Sequence, residues 1–132
     1  MITDIEIKDE FYKLLKSSEL AKEVTGAISK RLRPKNSTKE DVVVSIVTNV
    51  GGQKQEAVVN VNIYVADDFV KDQYEEATIR IRTLAKMAQA LLDHGTILNG
   101  RYELVSQNSI ENVEGTNEHI INNKLSVTLI NE

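Results

Sequence analysis

Two valine-rich runs on either side of a glycine pair constrain this chain more than any other feature. From Glu40 to Val65 it reads EDVVVSIVTNVGGQKQEAVVNVNIYV. Gly51-Gly52 tolerates the positive φ angles of a tight hairpin turn. With those glycines as the central pair, Val50 faces Gln53, and Ile46, Val44 and Val42 face Ala57, Val59 and Val61. Cross-strand partners share a face, so this register gathers one apolar surface. The other face carries Ser45, Asn60, Asn62 and Tyr64 together with Val43, Val47 and Val58. These apolar residues are exposed together unless the N-terminal segment folds over them, and contiguous exposed apolar surface marks an interface.

The 132 residues form one domain, 1–132, with 41% hydrophobic and 27% charged residues, an ordinary balance for a soluble globular protein. No apolar run approaches the length of a membrane span. The acidic start, MITDIEIKDE, lacks the basic and apolar regions of a signal peptide; the expectation is a cytoplasmic protein without membrane contact. There are no cysteines, which excludes disulfide and thiol chemistry. A net charge of −4 argues against a dedicated nucleic-acid binder, which needs basic surface to neutralise phosphates.

Along the chain, Ile7, Phe11, Leu14 and Leu15 share one side of an amphipathic helix, with Thr3 and Glu6 at capping-box spacing. Ser17-Ser18 interrupts it, and Leu20, Ala21 and Val24 suggest a short helical turn ending at Gly26. Ala27 to Leu32 reads as a short extended segment and Pro34 to Thr38 as a loop. Asp67-Asp68 marks a turn, and Asp67, Asp68 or Asp72 is positioned to cap a long helix over Gln73 to Asp93. In that helix Ala77, Ile81, Leu84, Ala88 and Leu91 recur at helical spacing, and Gly95 stops it. A second hairpin follows Gly100. A turn at Glu114-Gly115 pairs Leu104 with Leu125 and Tyr102 with Val127. Its tip, Gln107 to Ile121, holds few inward apolar residues and is expected to project beyond the core. The fold class is therefore α+β: an antiparallel sheet of two hairpins with helices packed on one face.

Chemistry is sparse. Asp67, Asp68, Asp72, Glu75 and Glu76 crowd one stretch, and carboxylates attract hard cations, but glycine-centred calcium-loop spacing is absent and helix capping accounts for them. His94 and His119 lie far apart with no metalloprotease spacing. No serine sits in a nucleophile elbow. Catalytic residues, metal ligands and cofactor sites are accordingly expected to be none, and the chain is read as not an enzyme. Lys30, Arg31, Arg33, Lys35 and Lys39 make a local basic stretch. It is either a solvated loop or a contact for an acidic partner surface or a phosphate backbone.

The segment GAISKRLRPKNSTKED (Gly26 to Asp41), followed by the valine-rich strand and QEAVVNVNIYVAD, resembles phage tail-completion or tail-terminator proteins. So does the order of helix, hairpin, long helix and second strand pair. The resemblance implies a structural virion-assembly protein that caps the tail tube and joins it to the head. It further implies a homo-oligomeric ring, often a hexamer, that contacts tail-tube and head-connector proteins, with DNA only passing through. The family offers no catalytic residues. Candidate interface residues are Val43, Val47, Val58, Asn60, Asn62 and Tyr64 on the open sheet face, with Arg33 from the basic stretch. The rival readings are a cytoplasmic adaptor using that face and a small-molecule-binding domain with a pocket beside the long helix.

Overall fold

A computed structural model of the chain describes residues 1–112 and 115–131. It begins with helix α1, Asp4–Lys16, whose N-terminus carries the complete Thr3–Glu6 capping box. The short α2, Glu19–Glu23, is capped by Ser18. Strands β1 (Ile28–Ser29), β2 (Val42–Val50) and β3 (Lys54–Ala66) follow, then a small hairpin, β4 (Asp68–Val70) and β5 (Gln73–Glu75). Helix α3, Thr78–Leu92, leads into β6 (His94–Ile97), β7 (Gly100–Glu111) and β8 (Glu118–Ile130). The fold is α+β: three helices, a strongly curled six-stranded half-barrel sheet and the small β4–β5 hairpin. No helix among the described residues is long and apolar enough to cross a membrane.

The sheet runs in the order β1-β2-β3-β8-β7-β6. It is mixed rather than purely antiparallel, because β1 pairs with β2 in parallel. The two expected hairpins are present, joined through a ladder between β3 and β8 that spans both strands from Lys54↔Ile130 to Ala66↔Glu118. Leu104 pairs with Leu125 and Tyr102 with Val127, as the alternation predicts; the expected Glu114-Gly115 turn lies partly outside the described residues.

The first hairpin has a different register. Val42 pairs with Ile63, Val44 with Val61 and Ile46 with Val59, and a bulge at Val47 changes the count before Val50↔Glu56. An even slide leaves every side chain on its original face, so alternation alone does not separate the two registers. The observed one sets Ile63, which is fully buried, against Val42. Its turn is held from outside: the Asn131 N–H donates to the Gln53 carbonyl at 2.7 Å and Asn131 Nδ2 to the Gly52 carbonyl at 2.7 Å. Gly52 has φ +133°.

The helix expected from Gln73 starts later. Lys71 and Asp72 both have positive φ, the geometry of a two-residue hairpin turn, and Phe69 stacks on Tyr74 across it at 5.0 Å between ring centres. Helix α3 then starts at Thr78 behind Ala77, with no side-chain cap. None of Asp67, Asp68 and Asp72 serves as one. Its end differs as well: Gly95 is a strand residue paired with Tyr102, and β6 forms a further hairpin with β7.

The described arms of the second hairpin's expected tip do not project beyond the core. The β8 arm from Glu118 to Asn123 lies between β3 and β7, and Ile121 and Asn123 are buried. The inward polar residues there, Asn123 and Gln107, are satisfied. Asn123 Nδ2 donates to the Val61 carbonyl at 3.0 Å, and Gln107 Nε2 donates to Asn123 Oδ1 at 2.7 Å and to the Ala85 carbonyl at 2.9 Å. Gln89 Nε2 completes the chain by donating to Gln107 Oε1. Buried amides so paired cost little, and they bind α3 to the sheet.

Both long helices cover the concave side. Helix α1 packs on β2, and its buried Phe11 meets Tyr102 of β7 edge to face, 5.4 Å between centres. Helix α3 approaches β7 and β8 rather than the first hairpin. Its buried residues are Ile81, Leu84, Ala88 and Leu92, whereas Leu91 is only partly buried. Leu84→Ala is therefore expected to cost about 2–5 kcal/mol and Leu91→Ala clearly less. Urea denaturation of the two variants checks this; equal losses would mean that α3 is turned differently about its axis.

Candidate functional site

The convex side of the half-barrel is a surface of transverse rows. Val43 pairs with Asn62, Asn62 with Asn122 and Asn122 with Asn108. In the next row Ser45, Asn60, Lys124 and Ser106 are neighbours, and in the one beyond, Thr48, Val58 and Ser126. At the opposite end Tyr64, Ile120 and Ile110 line up. The structure thus brings Val43, Val58, Asn60, Asn62 and Tyr64 onto one face, with Val47 at the bulge on its margin. It does not make them a continuous apolar patch. Val43 and Val58 are half-buried, and the polar Ser45–Asn60 row separates them; amides and hydroxyls occupy the middle of the face. Asn122 Nδ2 donates to Asn62 Oδ1 at 2.7 Å. Asn60 Oδ1 is enclosed without a hydrogen-bond partner, the one such side-chain atom among the described residues.

Arg33 closes one end of this face. Its guanidinium lies 4.1 Å above the Tyr64 ring, a stacking geometry that suits arginine. Nη1 and Nη2 donate to the two Glu118 carboxylate oxygens at 2.6 and 2.7 Å, while Nε donates to Asp41 Oδ2 at 2.7 Å. Nη2 also reaches the Lys39 carbonyl at 2.8 Å. Both carboxylates are buried and have further donors: Ser37 Oγ and the Ala27 N–H for Asp41, Asn112 Nδ2 and Thr116 Oγ1 for Glu118. Gly26 is needed beside them, because a side chain there would collide with Asp41 Oδ1 and the Glu40 backbone.

The neighbouring acid repeats the pattern. Arg80 of α3 donates to Glu40 from Nε at 2.6 Å and Nη2 at 2.7 Å, and to Glu23 of α2 from Nη1 at 2.6 Å. Glu40 and Asp41 therefore each take an arginine, one from α3 and one from the loop. Of the basic stretch, Lys30 is tied to Asp9 at 2.5 Å and Arg33 to this node; Arg31, Lys35 and Lys39 remain exposed.

The Glu118 hydrogen bonds raise the Arg33 pKa and those of Glu40 raise that of Arg80, each far above the ordinary value. Hydrogen bonding from Arg33 holds the Glu118 carboxyl below its usual range despite burial. For Asp41 burial is the largest single influence and opposes ionisation. The hydrogen bonds from Ser37, the Ala27 N–H and Arg33, with the Arg33 charge, still hold the carboxyl low.

The acid stretch after β3 is dispersed. Asp67 Oδ1 lies 2.6 Å from His119 Nδ1, and Glu76 is 3.4 Å from His119 Nε2, so one imidazole grips both legs of the β4–β5 hairpin. No group of three His, Cys, Asp or Glu residues among those described could hold a metal ion. The inward side of α3, where the small-molecule reading places its pocket, is filled by core residues. Sequence spacing misses the Arg33–Asp41–Glu118 node, since Glu118 lies far from Arg33 in the chain. The exposed Phe69–Tyr74 pair is missed because the long helix is expected to begin at Gln73, which places Tyr74 inside it and Phe69 in the turn before it. No protein-family model matches the chain, and no curated protein matches it.

Two measurements follow from this geometry. Both node carboxyls titrate below their unfolded-state values. The stability they contribute is therefore complete above about pH 5 and is lost as pH falls through their lower folded-state values. Arg33→Ala strands two buried carboxylates and is expected to cost about 3–5 kcal/mol at neutral pH. The gap to wild type should narrow as pH falls below about 4; urea unfolding across pH reads it, and a constant gap would show that other groups carry the acid dependence. Asn60→Val removes an enclosed acceptor that has no donor, so monomer stability should be unchanged or rise by about 1 kcal/mol. A marked loss in the same assay would mean that Asn60 is held by a partner group.

Proposed function

We propose that this protein is a structural virion-assembly subunit that completes or terminates a phage tail tube and joins it to the head as a homo-oligomeric ring. The observation that carries the reading is one-sided packing. Helices α1 and α3 fill the concave side of the half-barrel and leave the convex rows of Val43, Val58, Asn60 and Asn62 free to meet another protein. The order of helix, hairpin, long helix and second hairpin supports it, as does the resemblance of the Gly26 to Asp41 segment and the strands after it. In this reading the convex face seats on the tail tube and the head connector, DNA passes through without being read, and no catalysis is performed. Amide and hydroxyl rows suit a contact that forms between proteins already folded, since such interfaces are about as polar as the rest of a surface.

Lysine at Val43 and Val58 places charge on that face while its stem covers the neighbouring apolar surface, so the fold survives. The double variant Val43→Lys/Val58→Lys is expected to keep the wild-type melting profile and to lose co-sedimentation with purified tail tubes. Wild type that fails to bind tube ends, or a double variant that binds as well as wild type, would overturn the assignment.

A further inference from the structure

The two lateral margins of the sheet are unfinished. On one side β1 covers β2 only at Val42 and Val43, and no other strand among the described residues pairs with Val44 to Val50. On the other side β6 covers β7 only from Gly100 to Glu103, with one more backbone bond from the Leu104 N–H to the Asp93 carbonyl. From Val105 to Glu111, β7 pairs with β8 alone. Each margin thus ends in a run of unpaired main chain, and the two runs are equal in length.

Edges that stay single in solution are guarded by lysine, proline, inward charge or bulges that twist the strand away. Neither margin has any of the first three. The β2 run, VSIVTNV, contains no charge and no proline, and the β7 run, VSQNSIE, is charged only at its last residue. Each carries one bulge, at Val47 and Val105, which bends the strand locally but leaves the flanking groups unpaired. The margins also expose apolar side chains: Val47 and Val50 on one, Val105 and Ile110 on the other.

We propose that the β7 margin of one copy pairs, antiparallel, with the β2 margin of a second copy of this chain, making one sheet continuous from subunit to subunit. The proposal rests on the assembly reading above and specifies the contact between subunits. Strand direction favours it. Directions alternate through β2, β3, β8 and β7, so a further β2 beside β7 continues the alternation. Register is fixed by the short strands. Within one copy Ser106 is level with Ser45, through Lys124 and Asn60. Because β6 and β1 each block one end of a margin, the free runs meet only when one copy slides. Paired side chains must share a face and the bulged Val47 drops out of the count, so end-to-end seating places Ser106 opposite Val50 of the next copy and Glu111 opposite Val44, a slide of about four residues or roughly 13 Å along the strands. The contact joins two different surfaces, so it generates a closed ring or an open filament rather than a two-fold dimer.

Single lysines on the margins test this by sedimentation velocity. Val47→Lys spoils only the β2 margin and Val105→Lys only the β7 margin; both side chains are more than half exposed, and thermal melts check that the fold is retained. Val50→Lys and Ile110→Lys serve in their place if either variant misfolds. Wild type should form concentration-dependent oligomers and each variant alone should be monomeric. An equimolar mixture of the two should give a one-to-one dimer and nothing larger, because one intact margin of each kind remains. Wild type that stays monomeric overturns the proposal, as does a mixture that stays monomeric. A Val105→Lys variant that still dimerises would reveal β2 pairing with β2, and a Val47→Lys variant that still dimerises would reveal β7 pairing with β7; both also overturn it. Tube binding is scored separately. Wild type that is monomeric yet binds tubes defeats this contact and leaves the tail assignment standing, whereas the mixed dimer without tube binding does the reverse.

Discussion

The six-stranded sheet and the two long helices packed on it are placed by the ladder between β3 and β8. Two thirteen-residue strands pair along their whole length, and they come from distant parts of the chain. Closing so long a loop costs entropy that only the completed ladder offsets, and topologies dominated by such pairings fold slowly. The hairpin β2–β3 and the strands β6–β7 attach to its flanks, α1 and α3 rest on the concave surface that results, and Asn131 at its end fastens the first turn. Polar residues inside the ladder are part of its logic. Asn123 is buried and bonded to the Val61 carbonyl and to Gln107, so a sheet sliding out of register would leave these amides unpaired.

The charged clips do for the loops what the ladder does for the strands. Between α2 and β2 the chain has little regular structure, and adjacent Glu40 and Asp41 fix it by taking Arg80 and Arg33. Arg80 holds Glu40, and Arg33 holds Glu118, in the bidentate geometry that makes such pairs directional. The Arg33 pair also reaches Glu118 on β8, so the loop covers only the Tyr64 end of the convex face and leaves the remaining rows open.

Much of the architecture was legible where local chemistry and alternation agree. The Thr3–Glu6 capping box, the short extended segment at Ile28–Ser29 and the Tyr102–Val127 register all follow from side chains close in sequence or strictly alternating. The departures have physical causes. A two-residue slide of β2 on β3 keeps every face and leaves no trace in the pattern. The β4–β5 hairpin leaves no turn signal, because its positive φ angles fall on Lys71 and Asp72 rather than on glycine, and the helix expected from Gln73 absorbs its second strand. The second hairpin was expected to project since its inward positions are polar, but hydrogen bonding makes Asn123 and Gln107 core residues. Of the candidate face, the alternation placed Val43, Val58, Asn60, Asn62 and Tyr64 together. The arginine node that closes its end depends on a pairing between distant segments that no spacing encodes.

Helix α1 spans the mouth of the half-barrel, packed on β2 along one flank and, through Phe11, against Tyr102 of β7 on the other. It is a strut. The width of that helix, with the volumes of Ile7, Phe11 and Leu15, sets how far apart the two margins of the sheet are held and the angle at which they face outward. A sheet handed from copy to copy would inherit that angle as its turn per subunit. The circumference of such an assembly would then be written in the interior of each subunit, in three side chains that touch no neighbour.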